Sequence, residues 1–521
     1  MYKRMISVMI AITLMFVTVT ARLFYLSTGG VQAVGASQGR YTVTVTQARG
    51  TVYDCKLRRL TNTTSKTLAV LPPTSQAVAA VTEQLGDNAS DALKRLKAGK
   101  PILCEVPSGF ECEGVCTFTV DTGLASDQLA SHLIGYLDGD GAGVTGIQKA
   151  YNELLSACEP LKVTYTVDAA GRPLAGVEPE ISGTARSTDG VVLTVDSQIQ
   201  KIVEQQGMSL GKGAVIVMES QTGKLRAAAS FPNFSPASVA DCLEDEDAPL
   251  VNRALCAYNV GSVFKLCVCT AALRQGIDIS TVYDCAGYID IGETRFHCNK
   301  LSGHGELNMT AGLAKSCNCY FINLGKAAGA AAVYDTCVRF GFNRAYSLAD
   351  GVTAAAGTLP TQSTLAALPA ALANLSFGQG DLMLTPLHIA VMVAAISNGG
   401  MLVTPSAVEG TTDGSSVVSQ STAAPRRILD SGVAAQLRQM METVVSSGTG
   451  AAAKPETGTA GGKTATAETG WYIDGRAVTQ AWFAGYWDKY TIVVVREDGT
   501  SGSADCAPVF KGICDAIAEQ M

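Results

Sequence analysis

Two side chains able to act as nucleophile and base stand three positions apart in YNVGSVFKL, residues 258–266. The Ser262 hydroxyl is a weak nucleophile until a base takes its proton, and Lys265 is such a base once it has lost its charge. On a helix, positions i and i+3 share a face, so a helix through this stretch brings the two together. Apolar neighbours desolvate an ammonium, and the positive end of a helix beginning near Ser262 also disfavours its charge. Both effects weaken the hold of Lys265 on its proton. By itself the pattern says little. Ser209 and Lys212 repeat the spacing, with Gly211 between them and no apolar helix after, which reads as surface. For Ser262 and Lys265 the plain alternative is a helix cap and a lysine whose stem lies along apolar surface.

Two further segments supply what such a pair needs. AKSCNCYF carries Ser316 and Asn318, a second hydroxyl and an amide. GGKTATAE carries Lys463, Thr464 and Thr466 on a β-prone run. Lys66-Thr67 shows that a Lys-Thr pair is ordinary. Chance does not readily give all three segments, in order and each in suitable local context. Only His132, His297, His304 and His388 exist, and none sits in a recognisable serine-hydrolase motif, which disfavours a Ser-His-Asp scheme.

These groups need rigid elements to hold them. A helix is expected from about 262 to 275, with Arg274 in its last turn and Gly276 as its stop. GAVIVMESQTGKLRAAAS reads as two strands turning at Thr222-Gly223, and AWFAGYWD and YTIVVVRED as two more joined at Asp488-Lys489. LTVDSQIQ leads into a helix that Asp196 or Ser197 would cap. DNASDALKRLKAG reads as a short helix ended by Gly99. Helices dominate 262–400, and residues 409–425, polar and turn-rich, read as a surface loop. Strands at both ends with helices between imply an α+β domain whose antiparallel sheet is closed by distant segments.

The 521 residues, 47% hydrophobic and 16% charged, describe a folding chain of two or three domains. A net charge of −7 without basic runs argues against nucleic acid as partner. Met5 to Ala21 is uncharged, and the apolar stretch resumes past Arg22 at Leu23. It is long enough to cross a bilayer. Lys3 and Arg4 before it would keep the short end in the cytoplasm and place the rest outside; a cleaved signal peptide is the alternative. The expected division is an anchor over 1–27, a non-catalytic module over 28–185 and a catalytic domain over 186–521. The 16 cysteines show no quartet at zinc spacing, so no metal is expected. Cys285 with Cys298, and Cys506 with Cys514, are candidate disulfides if the compartment is oxidising. No nucleotide or flavin motif is present, and no cofactor is expected.

The three motifs resemble the S-x-x-K, S-x-N and K-T-G set of penicillin-binding proteins and related β-lactamases. The chain as a whole is similar to the class B penicillin-binding proteins, monofunctional peptidoglycan D,D-transpeptidases. ARGTVYDCKLRRL, HLIGYLDGDGAGVTGIQKAYNELL, ASFPNFSP, SFGQGDLMLTPLHIAVMVAAISNGG, VVSSGTGAAA and AWFAGYW follow in that family's order. The resemblance implies a penicillin-binding, serine β-lactamase-like transpeptidase domain. It makes Ser262 the nucleophile and Lys265 its base, and has Ser316 pass a proton towards the leaving amine beside Lys463. Asn318, Thr464 and Thr466 would hold substrate, and the N–H groups of Ser262 and Thr466 would form an oxyanion hole. It implies peptidoglycan stem peptides as substrates, β-lactams as covalent ligands of Ser262 and a membrane glycosyltransferase as partner, in division, elongation or sporulation. The chain departs from the pattern at Ala465 for the usual glycine, Val260 for proline and Gln148 for an acidic residue. Ala465 could narrow the cleft or twist its strand. A D,D-carboxypeptidase, a β-lactamase and a non-catalytic penicillin sensor are the competing readings.

Overall fold

The computed structural model describes residues 2–25, 39–85, 89–174 and 176–520. Its contacts divide the chain into two units, and neither is a single stretch. The first comprises Met1–Gly50, Thr63–Gly123 and Ser156–Ser187; the second Thr51–Asn62, Leu124–Leu155 and Thr188–Met521. The chain thus lends two early segments to the larger unit, which a single boundary at 185 does not capture.

In the first unit, the helix Tyr2–Tyr25 contains the apolar run Met5–Tyr25, whose 21 residues are enough to span a bilayer. Arg40–Thr46 pairs antiparallel with Leu161–Thr166, which pairs with Glu180–Ser182. A second antiparallel sheet centres Ser65–Leu71 between Ile102–Val106 and Cys116–Asp121. The helices Ser75–Leu85 and Ala89–Lys97 bury Val81, Ala92 and Leu96 against Ala69 and Leu71 of that sheet. Gly99 follows the second helix at φ 82°, a conformation glycine takes without strain.

In the second unit, five antiparallel strands lie in the order Leu225–Phe231, Gly213–Glu219, Tyr490–Glu497, Arg476–Trp487 and Ala460–Ile473. Distant segments close this α+β sheet, as expected. Side chains alternate across it. Val215, Val217, Ile492 and Val494 join Ile202 and Val203 of the helix Ser197–Gly207 and Phe510 and Ile513 of Ala507–Gln520 in one core. Ala214, Ile216, Val493 and Val495 face the other core, with the helices Lys265–Arg274 and Pro386–Ser397. The latter is apolar all round and buried from Pro386 to Ile396, which is the pattern of a helix inside a domain. Asp196 caps its helix by accepting from Gln198 N.

Two expectations fail. Residues 409–425 are not simply a loop: Val408–Thr412 and Val417–Ser419 pair as a hairpin that extends a sheet through Gly190–Leu193 to Thr51–Tyr53. Asp413 makes the turn, its carboxylate accepting from Ser415 N and Ser416 N, with Gly414 at φ 87°. Neither candidate disulfide is formed, and all sixteen cysteines are thiols. The Cys506 thiol instead donates to Ala481 O within the core.

Candidate active site

The chain enters the serine segment through Gly261, at φ 58°, and a short 3-10 turn Gly261–Phe264 that runs into the helix Lys265–Arg274. A Cβ on Gly261 would lie 3.0 Å from that of Ala467, so glycine lets this turn approach the lysine-bearing strand Ala460–Ile473. That strand is an edge of the sheet. It pairs without a break from Ala460 to Glu468, straight through Ala465, so the methyl there does not interrupt it. Ala465 is almost fully buried and shares a core with Val263, Phe264 and Trp482. The third wall comes from the start of the helix Asn318–Ala328, reached through Ser316 at φ 54°, a left-handed conformation unusual outside glycine.

These elements bring together six of the seven motif side chains, all but Thr466. Lys265 Nζ lies 3.0 Å from Ser262 Oγ, 2.8 Å from Ser316 O, 2.8 Å from Asn318 Oδ1 and 3.2 Å from Ser316 Oγ. Lys463 Nζ reaches Ser316 Oγ at 3.0 Å and Thr464 O at 2.8 Å. The Ser316 hydroxyl therefore stands between two amines. Thr464 Oγ1 pairs with Thr449 Oγ1 at 2.8 Å. Thr466 is exposed at the mouth, and its Oγ1 accepts weakly from Gly502 N.

Both lysines are fully buried, and among the described residues neither meets a carboxylate. Burial pushes Lys265 down to about 7. Burial and then the neighbouring Lys265 charge push Lys463 well below the usual lysine range. The contacts of Lys265 accommodate the neutral form. The carbonyl of Ser316 and Oδ1 of Asn318 can only accept, and they use the two N–H groups of a neutral amine. Its lone pair is left for a hydroxyl, with Ser262 at hydrogen-bond distance.

The groove over these groups holds about 780 Å³ and is lined by Ser262, Asn318, Thr464, Thr466, His297 and Glu468 among others. A larger groove of about 1250 Å³, beside Tyr258, Asn259 and Trp471, contains none of the motif residues. Ser209 and Lys212 are apart from the site: Ser209 Oγ donates to Gln206 O on the surface and Lys212 pairs with Asp247. Of the histidines, only His297 lines the groove. His132 and His388 are buried with ring nitrogens on the carbonyls of Pro249 and Arg344. Sequence reasoning singled out neither Thr449 nor Gly378. VVSSGTGAAA and SFGQGDLML were the signals available, but their contacts with Thr464 and Gly261 arise only on folding.

The chain matches the family described as Penicillin binding protein transpeptidase domain over residues 213–515. It is 28% identical to Stage V sporulation protein D of Bacillus subtilis over 397 residues, 72% of this chain and 59% of that protein. It is 30% identical to Peptidoglycan D,D-transpeptidase PbpA of Mycobacterium tuberculosis over 366 residues, 62% of this chain and 72% of that one. The chain thus spans under two thirds of the length of the sporulation protein. The penicillin-binding protein of Helicobacter pylori solved in complex with MreC shares its fold, with a TM-score of 0.68 at 20% identity, over 92% of this chain and 99% of that one.

Proposed function

The chain belongs to the penicillin-binding protein transpeptidase family, in class B, and from that premise we propose that it is a peptidoglycan D,D-transpeptidase working through an acyl-enzyme on Ser262. The observation that carries this reading is the 3.0 Å approach of Lys265 Nζ to Ser262 Oγ, with Lys265 fully buried and hydrogen-bonded to no carboxylate among the described residues. Neutral Lys265 takes the Ser262 proton as Oγ attacks the carbonyl between the two D-alanines of a stem peptide. Backbone N–H groups of Ser262 and Thr466 face the oxygen on which charge develops. Ser316, held between Lys265 and Lys463, hands its proton to the departing amine and takes up the one Lys265 holds, and the terminal D-alanine leaves. An amine of a neighbouring stem peptide then attacks the ester, its proton passes through neutral Lys265 to Ser262 Oγ, and the serine is regenerated as the cross-link forms. The free edge of the strand Ala460–Ile473 suits an extended peptide added as a further strand, with Thr464 and Thr466 meeting its terminal carboxylate and Asn318 its backbone.

The same reading makes β-lactams covalent ligands of Ser262. It has Met5–Tyr25 anchor the protein as a single pass with the rest outside the cytoplasm. A membrane glycosyltransferase would be the natural partner, since cross-linking needs newly polymerised glycan, and Thr63–Gly123 with Ser156–Ser187 belong to the non-catalytic module. The test is labelling of the detergent-purified chain with a fluorescent penicillin, followed by transfer from a stem-peptide thioester to a D-amino acid. Stable labelling and transfer, both lost in Ser262→Ala, are expected. Labelling without transfer would leave a sensor, rapid loss of label a β-lactamase, and no labelling a scaffold.

A further inference from the structure

Behind the wall that carries Ser316 and Asn318, the fold gathers Cys285, Cys298, His304 and Cys317, one ligand atom from each, all within 4.8 Å of one another. Cys298 Sγ lies 3.7 Å from Cys317 Sγ and 3.5 Å from His304 Nδ1, and Cys285 Sγ lies 3.7 Å from the same nitrogen. None of these is a disulfide separation, which is about 2.0 Å. They match three edges of a tetrahedron around zinc: with Zn–S of about 2.3 Å and Zn–N of about 2.0 Å, sulfurs stand about 3.8 Å apart and sulfur and nitrogen about 3.5 Å. We propose that Cys285, Cys298, His304 and Cys317 bind one structural zinc ion, which clamps the wall of the groove opposite Ser262.

The chemistry of the set selects the metal. Three thiolates and an imidazole form a closed four-coordinate site that suits zinc and leaves no position for water. The thiols release three protons to solvent on binding, and the neutral imidazole completes a centre of net charge −1. Tyr320 N donates to Cys317 Sγ at 3.4 Å, and such an outer bond favours thiolate and orients the ligand. The surrounding backbone is shaped to match. Cys298 N donates to Gly287 O and His304 N to Cys285 O. Gly287 and Gly303 have positive φ, and a Cβ on either would overlap the opposite chain.

The segment also needs a clamp. Between Tyr283 and Leu307 it consists of two two-stranded ribbons. Such ribbons are marginal in water, and this one buries little besides Cys285, Phe296, Cys298 and Leu307. Cys298 nevertheless lines the groove, and His297 O accepts from Asn318 Nδ2. Cys317 lies between Ser316 and Asn318, so one ion ties the ribbon to both residues and helps hold Ser316 in its left-handed conformation. Zinc binding pays for order that the apolar contacts alone do not supply.

The test is independent of the chemistry at Ser262. The full chain, purified in detergent under reducing conditions, is loaded with zinc, passed over a chelating resin and analysed for metal and for alkylatable thiols. One zinc per chain is expected, with Cys285, Cys298 and Cys317 protected from alkylation until a strong chelator is added. Absorption spectroscopy at the zinc edge should show three sulfurs and one nitrogen. Cys298→Ser should lose the metal, whereas Cys319→Ser, a neighbouring thiol outside the set, should keep it. Substoichiometric zinc with the three thiols freely alkylated in the wild-type chain, or a disulfide among them, would overturn the proposal whatever the variants do.

Discussion

A primary amine buried without a carboxylate escapes the penalty of desolvation by giving up its proton. Lys265 is in that position, and its two accepting neighbours, Ser316 O and Asn318 Oδ1, leave the lone pair of the neutral form for a hydroxyl. Only the neutral amine can take the Ser262 proton, and Lys265 is held down at about 7. The second-order rate of penicillin acylation should therefore rise about tenfold per pH unit below that value and level off above it. Stopped-flow labelling across that range measures the profile. Lys265→Arg, which stays charged, should be unlabelled at every pH. A flat profile from about pH 5 to pH 9 would mean that another group takes the proton. At this scale most of the site was legible, because residue type and order suffice to pick Ser262, Lys265, Ser316, Asn318, Lys463 and Thr464. Thr449 was not, since its hydroxyl matters only through the contact with Thr464. His304 and the cysteines around it were not either: the ligands are spread along the chain, and no pair of them has the close spacing by which zinc sites are read.

Elements deliver these side chains by close backbone approach, and the turn carrying Ser262 is the tightest example. Gly378 has φ 88°, and a Cβ on it would overlap the carbonyl of Gly261, the residue that opens the serine turn. Gly380, two residues on, also has positive φ, but a Cβ there would meet only Asn374 Cβ at an ordinary 3.5 Å. Gly380→Ala should therefore show backbone strain alone, about 1 kcal/mol, with acylation near normal. Gly378→Ala adds a collision with backbone, about 1–3 kcal/mol more, and moves Ser262 away from Lys265. Thermal melts and penicillin labelling rates of the two variants make the comparison. Equal losses in both would show that the contact with Gly261 does not set the nucleophile. Long strands such as Tyr490–Glu497 declared themselves by composition. The hairpin over Val408–Ser419 did not, because its strands are short and Asp413-Gly414, a sound hairpin signal, sits in a polar run that reads as loop.

For the whole molecule, the decisive fact is that the larger unit is assembled from three pieces of chain. Thr51–Tyr53 lies parallel to Gly190–Leu193 and forms one edge of its sheet. Next to it, the buried Asp54 carboxylate accepts from Lys56 N, Arg58 N, Arg58 Nε and Ser197 N, so that it also satisfies the start of the helix Ser197–Gly207. Leu133, Ile134, Ile147 and Leu155 join Val52 and Leu60 in the same core as Val191 and Leu193. A strand of three residues carries no periodicity, and a partner so far along the chain leaves no local trace, so the sequence suggested a linear boundary at 185. The difference can be measured. A fragment spanning 186–521 keeps every motif residue but loses those six buried side chains, each stabilising by about 1.5–3 kcal/mol. Their loss, on the order of 10 kcal/mol, rivals the whole stability of a typical domain, about 5–15 kcal/mol. The fragment should be insoluble or melt without a cooperative transition, and should label poorly with penicillin. A chain beginning at residue 39 retains both inserted segments and should melt cooperatively and label. If the 186–521 fragment melts at the same temperature as the longer chain, the early segments are ornament and the linear division is the better description of how this protein folds.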